Sequence, residues 1–505
     1  MDVNARVDSL FGNETNNNGS SIEAFFAESV ILLTGATGFL GKAILEKLLR
    51  SCPRLDTIFI LVRPKRNKTV DQRHKELLGN TIFDKIRTND PALLNKVCPV
   101  KGDVTLPNLG LSPEDRHVLE QRVNIVFHSA ATVKFDEPLK VAVNLNAKGT
   151  ERLLELCGNM KNLVSIVHIS TAYSNANRDY VEESIYTTKV KPSTVIDMCE
   201  SLDEATLNSI EKKILENHPN TYTFTKNLAE QIVLSKANNM PIALVRPSII
   251  CAAVKEPFPG WVDNITGITG TMMEIGRGVV RTVHCNTGLK LNVVPIDYVV
   301  DTIICASWHI TMQQTDSIKI YNCTSNAKDF RWGMLYNLIK KNAIESPSRY
   351  MVWYPGCALI ANKFMHNFLS ITLHIVPAFI GDFFLRLVGN KPKLLKYVKR
   401  FERALQVGNF FTTHEWNFQD ENMNDLRKKM NGLQDHNSFN VDMQDLDWDV
   451  YFRDYMLGIK KYILKENSET ADVARNRVLM LYWAHRLTQI SSIIIVLMMI
   501  LRVGH

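Results

Sequence analysis

Apolar and polar positions alternate along this chain in a repeating rhythm. Short apolar runs rich in β-formers occur at residues 29–34, 57–62, 97–104, 123–127, 163–169 and 242–245. Between them lie stretches with apolar residues at helical spacing, such as 42–50, with Ala43, Ile44, Leu45, Leu48 and Leu49, and 222–237. Each run ends in small or polar residues: Gly35, Gly102-Asp103, His128-Ser129-Ala130-Ala131, Ser170-Thr171 and Arg246-Pro247-Ser248. Strand-length runs alternating with helices predict an α/β chain built on a Rossmann-type, doubly wound parallel sheet. Ligands of such a sheet bind beyond the carboxyl ends of its strands. The segment from Tyr173 to Tyr222, rich in Asp, Glu, Ser and Lys, reads as a surface excursion.

The two ends depart from the rhythm. Residues 1–21, with an Asn/Ser/Gly run, have no apolar stretch of signal-peptide length and read as a disordered leader. Near the other end, residues 487–501 are 15 positions without a charge. As a helix they would extend about 22 Å, short of a ~30 Å hydrocarbon core. Extending back to Val478 gives about 36 Å but includes Arg486, so such a helix would enter a membrane obliquely, with the arginine snorkelling. The tail is expected to be a membrane anchor or shallow hairpin, against the alternative of a core helix with an apolar end. Arg475 and Arg477 before it suit the cytosolic side of a bilayer. A second uncharged stretch, 364–381, contains Pro377 and Gly381. It reads equally as a membrane-dipping segment or as a tunnel or core helix.

Composition narrows the class. Of 505 residues, 45% are hydrophobic and 22% charged, which suits a globular protein and excludes a disordered or collagenous one. A net charge of +7 is too dilute over this length to argue for nucleic acid, and suits an anionic cosubstrate or membrane surface equally well. Nine scattered cysteines without C-x-x-C point to reduced, buried thiols in a cytosol-facing protein.

The first run leads into Gly35-Ala36-Thr37-Gly38-Phe39-Leu40-Gly41 and then a helix. Gly35 permits the turn, Gly38 lets a pyrophosphate reach backbone N–H groups, and Gly41 lets helix pack on strand. Thr37, Phe39 and Leu40 are counted with the cofactor contacts, as is Pro247. The second run ends in Arg63-Pro64-Lys65-Arg66, without the acid that would hold a ribose 2′-hydroxyl. Arg63, with Lys65 or Arg66, fits a 2′-phosphate and so NADPH. Asp103 is expected at the adenine amino group, and Ala130 and Ala131 as a flat floor beneath the cofactor.

Tyr222 and Lys226 are four apart on one helix face. A phenol ordinarily titrates near 10 and needs a neighbouring ammonium to give up its proton at neutral pH. The same lysine can hold the nicotinamide ribose. A hydroxyl from Thr171, or second from Ser170, would polarise a carbonyl oxygen. Tyr336 and Lys340 repeat the spacing, but beyond the last Rossmann-like strand, so Tyr336 reads as an ordinary helix residue. The 13 histidines have no metal-ligand spacing, and His128, His168 and His284 read as satisfied core residues. No G-x-S-x-G is present, which excludes an α/β-hydrolase.

TGATGFLG, HSAATVKFDE (128–137), STAYSN (170–175), YTFTK (222–226) and VRPSII (245–250) occur in one order. Together they resemble the extended short-chain dehydrogenase/reductases. With PFPGWVDNITGITG (257–270) they resemble, more narrowly, the fatty acyl-CoA reductases, over roughly residues 22–465. The resemblance implies Tyr222 and Lys226 as the catalytic pair and Gly35, Gly38 and Gly41 as the pyrophosphate turn. It implies Asn146 as the asparagine of the following helix, with Ala147 a mild departure. It also implies a Rossmann domain at 22–349, a smaller, mainly helical C-terminal domain at 350–465 and a membrane tail at 466–505. The expected activity is NADPH-dependent reduction of a long-chain acyl-CoA to a fatty alcohol, by direct hydride attack and without a cysteine nucleophile. The enzyme would be anchored in the endoplasmic reticulum first, or in the peroxisomal membrane second, facing the cytosol. The alternatives are a membrane-bound hydroxysteroid or sterol dehydrogenase of the same superfamily and a catalytically silent NADP-binding scaffold.

Overall fold

A computed structural model describes residues 21–503, apart from 66, 238–239, 314–317, 326–328 and 467–470, and apart from the side chains of 471, 495–496, 499–500 and 502–503. The expected leader therefore lies outside the described residues except for Ser21, whose hydroxyl accepts from Ala24 N–H at 3.0 Å and caps the helix Ile22–Phe26.

Among the described residues, seven strands form one parallel sheet: β1 (Val30–Thr34), β2 (Thr57–Val62), β3 (Val97–Lys101), β4 (Ile125–His128), β5 (Ser165–Ile169), β6 (Ile242–Pro247) and β7 (Lys319–Cys323). Their spatial order is β7-β6-β5-β4-β1-β2-β3, the doubly wound arrangement whose direction of winding reverses beside β1. Thr34 closes β1 level with Leu61 on β2 and His128 on β4, so the loops after these strands meet at one edge. Six strands fall where the apolar runs lie. The seventh, KIYNC, escaped the pattern because Lys319 and Asn322 interrupt its apolar run, although only Lys319 is not fully buried.

Helices α1 (Phe39–Ser51), α2 (Lys148–Cys157), α3 (Thr221–Lys236) and α4 (Ile296–Gln313) cover the sheet. Below one face, Ile44, Leu48, Ile303 and Ile304 pack with Ile31 and Ile58; on the other, Leu153, Phe224 and Leu228 pack with Leu32 and Val126. The segment expected as a surface excursion is more than that. It contains helices Pro192–Ser201 and Glu204–Ile214, whose Val195, Ile196, Cys199 and Leu207 join the second core. Polar residues dominate its composition because each helix is short and buries one stripe only.

The C-terminal region is mainly helical and woven into the first half. Ala358–Ile360 pairs with Thr282–His284, and Asn417–Phe418 with Tyr180–Val181. Met423, Leu426 and Met430 fill the core beside α4. Three further helical stretches matter below. A continuous apolar run comprises α5 (Lys363–Ser370), a wide turn at Ile371–Ile375 and α6 (Val376–Leu387); α7 (Leu394–Thr413) returns along α6; α8 (Ala471–Val503) is the last helix.

Candidate active site

The turn after β1 shows what each glycine does. Gly35 has φ +76°, and a Cβ there would meet Ser129 C at 2.7 Å and Ala130 N at 2.8 Å. A Cβ on Gly41 would land on the Gly35 carbonyl. Gly38 differs: among the described residues a Cβ would meet only Gly35 O, at 3.3 Å, so the bare backbone leaves room there. Gly38 is also the N-cap of α1, a 13-residue helix, and offers no side chain to its first N–H groups. Phe39 stacks on Trp261 with centroids 5.1 Å apart, tying this turn to the 257–270 stretch; Leu40 is half-buried. The Ala130 N–H donates to Thr34 Oγ1 at 3.2 Å, which fixes the small-residue floor beside the turn.

At the end of β2, Arg63 is half exposed and lies 3.9 Å from Asp103 Oδ2, too far and too solvated to consume its charge. The other Asp103 oxygen is held by Thr105 N–H at 3.0 Å and Thr105 Oγ1 at 2.8 Å. A second guanidinium joins Arg63. Arg73 donates to the Arg63 carbonyl and, at 3.3 Å, to Thr37 Oγ1. Burial, and then the Arg63 charge, lower its pKa. Two guanidiniums and a hydroxyl thus converge where a phosphate would relieve their repulsion. Arg73 sits on the next helix, Val70–Leu78, with no spacing motif to flag it; the sole hint was a base in the first turns after β2. Lys65 is exposed, and Arg66 lies outside the described residues.

Asn220 caps α3, its side-chain oxygen accepting from Thr223 N–H at 2.9 Å, and aims the first turns of the helix at the ends of β4 and β5. Tyr222 is half-buried, its ring stacked on Phe135 with centroids 5.7 Å apart. Burial pushes its phenol up to about 12, and the Thr171 hydroxyl beside it opposes that shift. Lys226 is buried. Burial lowers its pKa to about 8, against the pull of the Glu230 charge. Its ammonium donates to the Ile169 carbonyl at 2.8 Å, one acceptor among the described residues for three N–H donors, so capacity remains for a further partner.

The two hydroxyl candidates separate clearly. Thr171 faces Tyr222, its Oγ1 also 3.4 Å from the Pro247 carbonyl. Ser170 instead donates to Glu230 at 2.5 Å. Glu230 and Arg246 form an ion pair at 2.7 Å with neither side chain exposed, and Arg246 also donates to the carbonyls of Glu182 and Ser184. Among the described residues, the hydrogen bonds of Asn146 go to neighbours of Lys226 rather than to Lys226 itself. Asn146 bonds Thr132 N–H and O and Thr225 Oγ1, at 2.9, 3.2 and 3.0 Å, and so holds the loop after β4 against α3. Ser248, just past β6, has a buried hydroxyl with no partner among the described residues.

Sequence reading missed the aromatic wall. Phe135 also meets Phe411 of α7 at 5.0 Å, and Phe411 meets Tyr173 and Trp416. The C-terminal region therefore closes the side of the site next to Tyr222. Tyr336, by contrast, accepts from Cys357 N–H at 2.9 Å, far from this constellation in the fold's other core. His128 is neutral and satisfied, its ring nitrogens 2.8 Å from Thr34 Oγ1 and 3.2 Å from Thr150 Oγ1. His168 is buried as expected, but neither of its nitrogens has a hydrogen-bond partner among the described residues; His284 is half-buried and bonds the Ala361 carbonyl. The described residues hold no cluster of metal-ligating side chains. Eight of nine cysteines are buried and Cys98 is half-buried, all free.

The chain has relatives. Two male sterility protein family models match, an NAD-binding one over residues 33–303 and the Sterile one over 373–466. Fatty acyl-CoA reductase 1 of Mus musculus is 38% identical over 463 residues, 91% of this chain and 89% of that protein. The chain belongs to the fatty acyl-CoA reductase family. Fatty acyl-CoA reductase 2 of Mus musculus is 37% identical over 449 residues, 89% of this chain and 87% of that protein. Among solved structures, the reductase domain of a nonribosomal peptide synthetase from Mycobacterium tuberculosis superposes with a TM-score of 0.56. It shares 15% identity, covers 91% of this chain and 97% of its own, and shows the fold. This member of the family is an oxidoreductase with a nicotinamide-binding Rossmann half.

Proposed function

We propose that this reductase converts a long-chain acyl-CoA, two NADPH and two protons to the fatty alcohol, coenzyme A and two NADP⁺. The observation that carries the reading is Thr171, Tyr222 and Lys226 meeting at the carboxyl edge of the sheet, in a chain so similar to named acyl-CoA reductases. NADPH, when bound, supplies the hydride for each of two reductions, of the thioester and then of the aldehyde. Gly38 and the open end of α1 suit its pyrophosphate, Arg63, Arg73 and Thr37 its 2′-phosphate, and the spare N–H groups of Lys226 its ribose. Asp103 stands at the adenine side. Thr171 polarises the substrate carbonyl oxygen, and Tyr222 delivers a proton to it. Lys226 lowers the cost of the resulting phenolate. Ser170 and Asn146 act as positioning residues, through Glu230 and Thr132 respectively. The buried thiols, such as Cys251 raised to about 12 by burial, are poor nucleophiles, which favours direct attack over an acyl-cysteine.

We read 22–349 as the cofactor-binding unit, 350–465 as the acyl-CoA reductase-type helical unit and 466–505 as a membrane tail that keeps the catalytic units on the cytosolic side, at the endoplasmic reticulum or, second, the peroxisome. The hydroxysteroid alternative is not favoured by relatives that carry acyl-CoA reductase names. Purified protein given palmitoyl-CoA should consume two equivalents of NADPH per thiol released, with hexadecanol as product. One equivalent would mean arrest at the aldehyde, and none would overturn the assignment. Cofactor choice is tested separately. Arg63→Ala or Arg73→Ala should weaken NADPH by ~10–150-fold, the worth of a charge-assisted hydrogen bond, and spare NADH. Equal losses for both cofactors would make these arginines structural.

A further inference from the structure

The stretch Lys363–Leu387 is built inside out. His366, Ser370, His374, Ala378 and Asp382, each four apart, are its buried positions, and all but Ala378 are polar. Each polar one is satisfied by the protein body. His366 meets Thr282 Oγ1 at 3.2 Å, and Ser370 donates to Glu402 at 2.7 Å. His374 meets Glu402 through Nδ1 and accepts from Arg281 N–H through Nε2, at 2.8 Å. Asp382 accepts from the N–H groups of Lys393, Leu394 and Leu395, closing the start of α7. The opposite face is Phe364, Phe368, Ile371, Phe379, Phe383 and Leu387, between 51% and 82% exposed. A helix in water buries its apolar stripe and exposes its polar one; this helix does the reverse.

The surroundings identify the occupant of that face. From 363 to 413 there are eight lysines and arginines and two acids, and both acids, Asp382 and Glu402, are engaged with the inner stripe. Lys363, Arg386, Lys391 and Lys393 flank the apolar face and are exposed. The last helix lies in the same neighbourhood. His485 of α8 accepts from Trp353 Nε1–H at 3.1 Å, the Arg281 guanidinium lies 5.4 Å over Trp353, and the Arg281 N–H holds His374. Beyond that anchor point Leu487, Ile490 and Ile493 of α8 are exposed.

We infer that the α5–α6 face lies in the plane of a bilayer leaflet, sunk to acyl-chain level with the flanking cations among anionic headgroups. It does not cross the membrane. At 25 residues it is long enough to do so, but a crossing would drag its polar stripe and the exposed Lys396, Lys399 and Arg400 of α7 into hydrocarbon. In-plane seating satisfies both faces at once. It also sets one end of α7 at the membrane, while Phe411 near the other end stands against Phe135 beside Tyr222. This inference is independent of the reaction assigned above and of whether α8 anchors the chain.

The test uses the full chain with Cys98→Ser, which leaves only buried native thiols, and single spin-labelled cysteines at Phe364, Phe368, Phe379 and Phe383, with Lys396→Cys as the reference. The protein is bound to phosphatidylcholine vesicles containing a minor fraction of phosphatidylserine. Collision with oxygen and with a water-soluble nickel chelate reports depth. All four sites should be oxygen-accessible and nickel-protected at one shallow depth, about 5–10 Å below the headgroups, with Lys396→Cys nickel-accessible. A depth profile that peaks at mid-stretch would mean a crossing helix and overturn the inference. Nickel access at all four sites would put the face in water. Protection from both colliders with spin–spin broadening would make the occupant a second copy. A chain that floats with vesicles while these labels remain in water would fail this inference and leave anchoring by α8 intact.

Discussion

Tyr222 and Lys226 reach their positions by opposite routes. The phenol is held protonated, at about 12, so it is a donor throughout the working range. The ammonium is the group that titrates, at about 8, because burial costs it more than Glu230 returns. Rate should therefore be highest below pH 8 and fall above it as Lys226 loses its charge. A kcat/KM profile that stays flat to pH 9 would exclude this role. The window is clean, because buried thiols with raised pKa values begin to favour unfolding only above their ordinary 9.0. Tyr222→Phe should cut kcat by ~10²–10⁴-fold, the scale for loss of a general acid, with NADPH affinity unchanged. Activity within threefold of the parent would sink the assignment. Tyr336→Phe should leave kcat alone and lower stability by about 0.5–1.5 kcal/mol, since it removes only the bond to Cys357 N–H. The spacing of Tyr222 and Lys226 was legible because one helix carries both. Arg73, Phe135 and Phe411 were not, because Arg73 reaches Thr37, and Phe411 reaches Phe135 beside Tyr222, from elements distant in sequence, which no local pattern encodes.

At the scale of elements, the turn between β1 and α1 gives three glycines three different obligations. Gly41→Ala drives a Cβ into the Gly35 carbonyl, which is backbone and cannot swing aside, so β1 and α1 must part. Gly38→Ala asks its neighbour to give by a few tenths of an ångström. Its cost should appear in binding, since the new methyl occupies the approach to the N–H groups of α1. Thermal melts and cofactor titrations should thus sort the pair: Gly38→Ala with a near-parental Tm and weakened NADPH, Gly41→Ala with a strongly lowered Tm. Near-equal melts would contradict the packing role of Gly41. Elements with continuous apolar runs were legible for the same local reason. β7 was not, since its edge position tolerates Lys319, and the Pro192–Ile214 helices were hidden by polar faces that dominate their composition.

At the scale of the whole molecule, the apolar surfaces of α5–α6 and α8 gather near Trp353, while the glycine turn and Arg63 belong to the carboxyl edge of the sheet. Loss of 467–505 removes Val478, Leu481 and His485 from the 351–354 segment, and none of its described residues belongs to the two cores of the sheet. The shortened chain should keep its cofactor affinity and, held then only by the shallow α5–α6 face and its flanking cations, should come off the membrane pellet in a salt wash that leaves the full chain bound. Retention in the pellet would shift the anchor to α5–α6, and a misfolded soluble product would make α8 a core helix. The overall architecture could be anticipated from rhythm alone. The weaving of the C-terminal region through the first half could not, because pairings as short as Asn417–Phe418 with Tyr180–Val181 carry no periodicity.

That weaving bears on how the chain is made. The Glu23 N–H donates to Asp435 at 3.0 Å, and Met423, Leu426 and Met430 complete the core over α4. A ribosome releases the N-terminal strands long before these partners exist. Contacts of such sequence separation slow folding and leave incomplete cores exposed during synthesis. The nascent Rossmann half must therefore wait, with an open apolar flank that a chaperone would hold, until more than four hundred residues have emerged. A premature stop anywhere before residue 423 should yield a protein fit for degradation rather than a truncated cofactor-binding fragment.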